Sequence, residues 1–122
     1  MTIITGAGRG IGRATALRFA RAGACVVLFS RTREALEETA QLMRVAGSAV
    51  LVVQGDVARE EDVRTLFQAA CATYGRVDIL VNCAGVVAVK PFAEMDVATW
   101  DRVLSVNLRG TFLCCQQAFT VM

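Results

Sequence analysis

The chain contains 122 residues, 55% of them hydrophobic and only one a proline, and its formal net charge at pH 7 is +2. This length predicts one domain over residues 1–122, because domains usually contain roughly 100–200 residues. The composition excludes a disordered chain, and the small net charge argues against nucleic acid or a membrane surface as a partner. No apolar stretch is long enough to cross a bilayer.

Strands and helices are predicted to alternate along the chain. Continuously apolar or β-branched stretches, typical of strands buried in a parallel sheet, occupy residues 2–5, 24–30, 48–54 and 77–82. Alanine-rich or amphipathic stretches predict helices over residues 13–22, 32–47, 60–75 and from Asp96 to the last residue. This order predicts an α/β fold in which a doubly wound, Rossmann-like parallel sheet carries helices on both faces.

Two of the predicted helices show informative apolar stripes. In the second helix, the stripe consists of Leu36, Thr39, Ala40 and Met43. In the last helix, it consists of Trp100, Val103, Leu104, Thr111, Cys114 and Ala118, with Asn107 in its middle. A buried amide without partners costs roughly 1–3 kcal/mol. We therefore expect Asn107 to bind a water in an active site, to lie at a helix kink or to be a structural amide of the core.

The cysteines and the position of the first predicted strand bear on the cellular compartment in which we expect the protein. The five cysteines form no C-x-x-C pair, and the chain has no histidine. This pattern predicts small core residues in a reducing environment rather than a metal or redox site. The first predicted strand begins almost at the first residue, which leaves no room for a signal peptide. We therefore expect a cytoplasmic location.

The turn between the first strand and the first helix, residues 5–12 (TGAGRGIG), contains four glycines. A helix that begins at such a turn directs free N–H groups and a positive dipole end at a bound phosphate. The dinucleotide pattern G-x-G-x-x-G fails because its last position is Ile11, and no Gly-Lys-Ser/Thr follows for a Walker A loop. The spacing G-x-G-x-G from Gly6 also fits a methyl-donor loop. A turn without any ligand is the remaining alternative.

The second predicted strand ends at Ser30, where dinucleotide-binding folds usually place an Asp or Glu about 20 residues after the glycines. Arg31 and Arg33 follow, and Arg9 of the glycine turn can reach the same region. A hydroxyl and a guanidinium bind a 2′-phosphate, which a carboxylate would repel. This predicts NADP(H) rather than NAD(H), unless the arginines are only solvated. The missing acid also argues against the methyl donor, whose binding needs a carboxylate here.

Two further loops follow predicted strands, and carboxyl ends of parallel strands form the ligand-binding edge of such sheets. Asp56 can accept a hydrogen bond from an adenine amino group, with the N–H of Val57 completing the contact. A turn or helix-cap role for this aspartate is the alternative. Asn82 can tie adjacent loops together, while the small residues Ala84 and Gly85 leave space for a ligand ring.

Together these residues resemble the short-chain dehydrogenase/reductase family over nearly the whole chain. The matching positions are the turn with Thr5, Gly6, Gly10, Ile11 and Gly12, the aspartate Asp56, the segment Asn82-Cys83-Ala84-Gly85 with cysteine in place of the family's second asparagine, and Asn107. The resemblance implies hydride transfer between a nicotinamide cofactor and a small carbonyl or alcohol substrate. It also implies a catalytic role for Asn107 and a homo-oligomeric full-length form.

The chain departs from the family in length and in its proton donor. Family members are roughly twice as long, and their Tyr-x-x-x-Lys pair and upstream Ser lie in the second half. The only tyrosine and lysine here are Tyr74 and Lys90, and residue 78 is an aspartate. The sequence thus resembles an N-terminal, partial NAD(P)-binding Rossmann domain truncated after about four strands and the following helix. We expect it to be inactive alone. The alternative is a non-catalytic nucleotide-binding fragment or pseudoenzyme.

Overall fold

The computed structural model describes residues 1–122. The strands are β1 (Thr2–Thr5), β2 (Val26–Ser30), β3 (Val50–Gln54) and β4 (Ile79–Asn82). The helices are α1 (Gly10–Arg21), α2 (Arg33–Val45), α3 (Glu60–Tyr74), α4 (Val97–Leu104) and α5 (Gly110–Val121). A π-helical segment, Ser105–Arg109, joins α4 to α5, and one 3-10 turn, Phe92–Glu94, precedes α4. None of these helices combines the length and the apolar character that crossing a membrane requires.

The four strands form one parallel sheet in the order β3-β2-β1-β4. Successive side chains of a strand point to opposite faces, so each strand supplies both cores. On one face, Ile4 and Leu28 pack with residues of α1 and α2. On the other face, Ile3 and Phe29 pack with residues of α3 and α5. This arrangement confirms the predicted doubly wound parallel sheet with helices on both faces.

The predicted strand limits were two residues too early in three strands, and the first helix begins earlier than predicted. In the sheet, Thr2 pairs with Val26 and Ile79, and Val26 pairs with Val50. The apolar residues before these starts have no strand partner in register, so they belong to the connections. Helix α1 begins at Gly10 because the glycine turn itself forms its first turn. The stripe predicted for α2 is confirmed, since all four of its residues are buried.

The last helix differs most from its prediction. It is interrupted by the π-helical segment, and α4 has no buried residue. Asn107 is exposed and lies beside the buried face rather than in its middle. The buried residues are Val106, Gly110, Leu113, Cys114 and Ala118. The prediction assumed one uniform helical face, whereas only α5 packs against α3 and β4, which leaves Trp100 and Leu104 of the predicted stripe exposed.

Candidate functional site

The carboxyl ends of all four strands open into one cleft of ≈ 440 Å³. Its walls come from the turn after β1, the end of β2 and the loops after β3 and β4. Eleven of the predicted cofactor-binding residues line it, namely Gly6, Arg9, Gly10, Ile11, Gly12, Ser30, Arg31, Asp56, Val57, Ala84 and Gly85. The structure therefore brings together segments that are far apart in the chain, and their role in cofactor binding stays a prediction.

The glycine turn is built for close backbone contact. A Cβ atom on Gly12 would lie 2.3 Å from the carbonyl oxygen of Gly6, so no side chain fits there. Gly6 itself has φ of 65° and packs against the backbone of Ala84. Helix α1 has neither a side-chain cap nor an acidic residue in its first turn. Its positive end is thus not neutralised by the protein, which suits a phosphate.

Two predicted residues, Thr5 and Asn82, lie outside the cleft lining. Thr5 is fully buried, and its hydroxyl oxygen accepts hydrogen bonds from the backbone N–H groups of Cys83 and Ala84, both at 3.1 Å. It therefore fixes the loop after β4 to the end of β1. Asn82 is exposed and donates from Nδ2 to Sγ of Cys115 at 3.5 Å. It ties the end of β4 to α5 rather than to the neighbouring loops.

The end of β2 carries unpaired positive charge. The guanidinium groups of Arg9 and Arg31 line the cleft and take part in no ion pair or hydrogen bond with the protein, in contrast to Arg33, which pairs with Glu37 at 3.5 Å. Ser30 lines the same cleft, and its hydroxyl donates to the carbonyl of Thr32 at 3.4 Å. This end of the cleft is therefore electrostatically suited to an anionic ligand.

The only carboxylate in the cleft lining is that of Asp56. Its Oδ1 accepts from the N–H of Ala58 at 3.0 Å, and its own N–H donates to Oδ2 of Asp62 at 2.9 Å. The other oxygen of Asp56 and the backbone N–H of Val57 have no protein partner. One free acceptor beside one free donor matches the amino group and the ring nitrogen N1 of an adenine base.

Asn107 is held by the loop after β4. Its Nδ2 donates to the carbonyl of Val86, and its Oδ1 accepts from the N–H of Val86, both at 2.8 Å. Its own carbonyl accepts from Oγ1 of Thr111 at 2.8 Å. Of the three expectations for Asn107, the structure supports the helix irregularity, because the residue lies within the π-helical segment. Its side chain is outside the cleft lining, and its catalytic role stays a prediction.

A polar cluster that the sequence did not identify supports the glycine turn from behind. Arg13 donates from Nε and Nη2 to the carbonyl of Gly8, at 3.0 and 2.7 Å, and from Nε to Oγ1 of Thr39 at 3.0 Å. Thr39 is fully buried and donates to the carbonyl of Ala7 at 3.1 Å. The sequence offered one sign of this cluster, the hydroxyl of Thr39 at a buried position of the α2 stripe. The cluster fixes the turn to α2.

The remaining ionisable groups lie away from this chemistry. Tyr74 is at the end of α3, at the opposite edge of the sheet, and burial raises the pKa of its phenol above the usual value. Lys90 pairs with Asp96 at 2.5 Å. All five cysteines are free, and burial raises the pKa of the Cys114 thiol to about 12. No group of three or more His, Cys, Asp or Glu side chains is arranged to hold a metal ion.

Comparison with known proteins gives one consistent family. The family model described as short chain dehydrogenase matches residues 1–122. The chain is 40% identical over 117 residues to 3beta-hydroxysteroid dehydrogenase 1 of Eggerthella lenta, covering 95% of this chain and 45% of that protein. It is 40% identical over 114 residues to short-chain reductase protein NovJ of Streptomyces niveus, covering 93% of this chain and 44% of that protein.

Solved structures agree with these relatives. The crystal structure of a 3-ketoacyl-ACP reductase from Sinorhizobium meliloti 1021 superposes with a TM-score of 0.95 at 37% identity, covering 98% of this chain and 48% of the other. A short-chain dehydrogenase/reductase mutant from Serratia marcescens gives 0.95 at 33% identity, covering 99% and 50%. The chain spans about half the length of the curated relatives it matches. It belongs to the short-chain dehydrogenase/reductase family.

Proposed function

We propose that this chain is the NADP(H)-binding, N-terminal half of an oxidoreductase that interconverts a small carbonyl compound and its alcohol. The observation that carries the cofactor choice is that Arg9 and Arg31, whose guanidinium groups are unpaired, line the cleft together with Ser30. A 2′-phosphate would find bidentate donors there and no opposing carboxylate. The family supports the reaction class, since its members named above are dehydrogenases and reductases.

Different residues of the cleft would bind different parts of the cofactor. The amino end of α1, at Gly10 to Gly12, would hold the pyrophosphate, and Asp56 with the N–H of Val57 would recognise the adenine. Ala84 and Gly85 leave room on the β4 side for the second ring, because neither has a bulky side chain. The nicotinamide of such a cofactor, when bound, accepts or supplies a hydride. Thr5 and Asn82 would support these contacts indirectly through Cys83, Ala84 and α5.

Asn107 contributes through the loop after β4. Because both polar atoms of its amide are bonded to Val86, we propose that it shapes this loop beside Gly85. The proton donor of the reaction is assigned to a part of the protein outside residues 1–122, since Tyr74 and Lys90 do not line the cleft. A cytoplasmic location and a homo-oligomeric full-length form belong to the same proposal.

A non-catalytic nucleotide-binding module is the second candidate. Its support is that the cleft lining contains no tyrosine, lysine or histidine, and that its ionisable residues are Asp56, Cys83 and the two arginines. The two candidates share the cofactor site and differ only in the reaction. The presence or absence of a Tyr-x-x-x-Lys segment in the reading frame after Met122 distinguishes them.

The test is a fluorescence titration of the purified chain with NADPH and NADH. We expect tighter binding of NADPH by roughly tenfold or more, as charge-assisted hydrogen bonds contribute about 1.5–3 kcal/mol. Arg31→Asp should reverse the preference, because a carboxylate repels the 2′-phosphate. The matched control is Arg33→Asp, which makes the same charge change outside the cleft lining and should keep the preference. Tighter binding of NADH by the unsubstituted chain would contradict the assignment.

A further inference from the structure

The π-helical segment and the first residue of α5 contact the loop after β3 as well as the loop after β4. We name the residues Asp56–Ala58 the adenine-facing loop. Arg109 donates from Nη1 to the carbonyl of Ala58 at 2.5 Å. Gly110 is buried against the side chain of Val57. The same stretch of helix therefore supports the loop that carries the free acceptor and the free donor described above.

The backbone conformation at Gly110 does not require a glycine, but the close contact with Val57 does. Its φ of −61° and ψ of −43° are ordinary helical values that any residue adopts. A glycine inside a helix destabilises the helix by roughly 0.5–1 kcal/mol relative to alanine. Glycine at position 110 therefore does not stabilise the helix itself. A Cβ at this position would lie 2.7 Å from Cγ2 and 3.0 Å from Cβ of Val57. Val57 is β-branched and stiff, so an added methyl group would displace its backbone as well as its side chain.

The opposite side of the adenine-facing loop is also held. Asp62 of α3 accepts the N–H of Asp56, and a Cβ on Gly55 would collide with the Phe29 ring at 2.7 Å. Val57 is 6% exposed and lies between these contacts and the last helix. The direction of its free N–H and of the free Asp56 oxygen therefore depends on how closely the helix approaches at Gly110.

We propose that Gly110 and Arg109 are positioning residues that set the adenine-facing loop for recognition of an adenine base. This inference rests on the proposed function, which places the adenine of NADP(H) at Asp56 and Val57. Neither residue touches the base. Gly110 acts by allowing the close approach of the helix to Val57, and Arg109 acts by holding the carbonyl of Ala58.

The probe is a pair of ligands that differ only at the base, NADPH and its hypoxanthine analogue. Hypoxanthine presents a carbonyl to the Asp56 oxygen and an N–H to the Val57 N–H, so it mismatches both groups. The unsubstituted chain should bind NADPH tighter than the analogue by roughly tenfold or more, the factor expected for a hydrogen bond to a charged group. Gly110→Ala should reduce this ratio to near one.

A second substitution distinguishes positioning from general damage. Val57→Ala in the Gly110→Ala background removes Cγ2, the atom that an added Cβ would approach most closely, and keeps the N–H, so it should restore most of the ratio. Arg109→Met removes only the hydrogen bond to Ala58 and should lower the ratio by a smaller factor. Arg102→Met is the matched control, since Arg102 is exposed on α4 and has no ion pair or hydrogen bond, and it should leave the ratio unchanged.

The outcomes separate the two proposals. If the unsubstituted chain binds both ligands equally, the adenine assignment is wrong and the positioning role falls with it. If it discriminates but Gly110→Ala and Arg109→Met discriminate equally well, the proposed function stands and the positioning role is overturned. If Gly110→Ala does not fold, as judged by circular dichroism, the test rests on the affinity ratio between NADPH and the hypoxanthine analogue in the two arginine variants. A lower ratio in Arg109→Met than in Arg102→Met supports the positioning role, and equal ratios overturn it.

Discussion

The half of the molecule around β1 and β2 is closed, whereas the half around β4 and the last helix is open. All four residues of β1 and the first four of β2 are buried, because strands lie on both sides of them and helices cover both faces. No residue of β4 is fully buried. Along the last helix, Phe112 is 57% and Phe119 is 90% exposed. The first half is thus packed on both faces of the sheet, whereas the second half exposes apolar side chains to solvent.

The two halves also differ in how their loops are held in place. The glycine turn and the end of β2 are held by contacts inside the closed half, such as those of Arg13 and Thr39. The loop after β4 is held mainly through Thr5 and Asn107, and it continues into residues whose side chains are exposed, including Val87 and Val89. In the proposed function, the closed half would bind the phosphates of the nucleotide, at the glycine turn and the end of β2.

The largest expected effect is the absence of turnover. We expect the purified chain not to consume NADPH with small ketones or quinones, because neither its one tyrosine, Tyr74, nor its one lysine, Lys90, lines the cleft. A positioned acid typically contributes about 10²–10⁴-fold, and substrate orientation contributes more. The measurement is NADPH absorbance against a no-protein control. A rate above that control that disappears on Gly12→Asp would show that the open half supplies more than we infer.

The next comparison sets one glycine of each half side by side. Gly12→Ala should lower the free energy of unfolding by about 1–3 kcal/mol or more, because its Cβ would lie 2.3 Å from the backbone of Gly6. Gly85→Ala should change it by less than about 0.5 kcal/mol, as its Cβ meets only Oδ1 of Asn107 at 3.5 Å. Urea unfolding followed by circular dichroism measures both. Equal losses would contradict the distinction between the halves.

The open half should also govern association. Trp100, Leu104, Leu108 and Phe112 form an exposed apolar stripe at helical spacing along α4 and α5, and β4 has a free edge. We expect the chain to self-associate, and Phe112→Glu should shift it toward monomer in sedimentation velocity, since burying a phenylalanine contributes about 1.5–3 kcal/mol. Gln116→Glu adds the same charge at an exposed polar position and should not. A monodisperse monomer before substitution would contradict the prediction.

The smallest expected effect is a pH dependence at the start of α4. A hydrogen bond from Lys90, and then those from Thr99, hold the pKa of Asp96 well below its usual range. A lowered folded-state pKa gives stabilisation that is present above the unfolded value and is lost as pH falls through the folded one. Hydrogen-exchange protection of α4 should therefore decline in strong acid. Helices α1, α2 and α3 have no side-chain cap to lose.

Asp96→Asn keeps an oxygen that can accept from Thr99 and removes the titrating group, so it should abolish this decline. Asp101→Asn, at an exposed residue of the same helix without an ion pair, is the matched control and should retain it. A decline that persists in Asp96→Asn would assign the pH effect to another group.

Local signals predicted most of the closed half correctly. The TGAGRGIG turn, the apolar strands and the α2 stripe each follow from short stretches of chain, in which glycine placement and hydrophobic periodicity act over a few residues. The same motifs led to the correct family. The limits of the strands were less accurate, because a strand begins where its neighbour provides a hydrogen-bonding partner, as Thr2 does for Val26 and Ile79.

The sequence by itself determined the α/β order, the glycine turn and the absence of an acid at Ser30, because these depend on residue identity and spacing alone. Only the tertiary structure decided that Asn107 bonds to Val86 outside the buried face, that Arg13 supports Gly8 and that Gly110 packs on Val57. Each of these contacts joins residues more than one helix turn or one strand apart, or depends on which face of a helix finds a partner. Periodicity indicates that a helix has an apolar face, but packing chooses the residues that are buried.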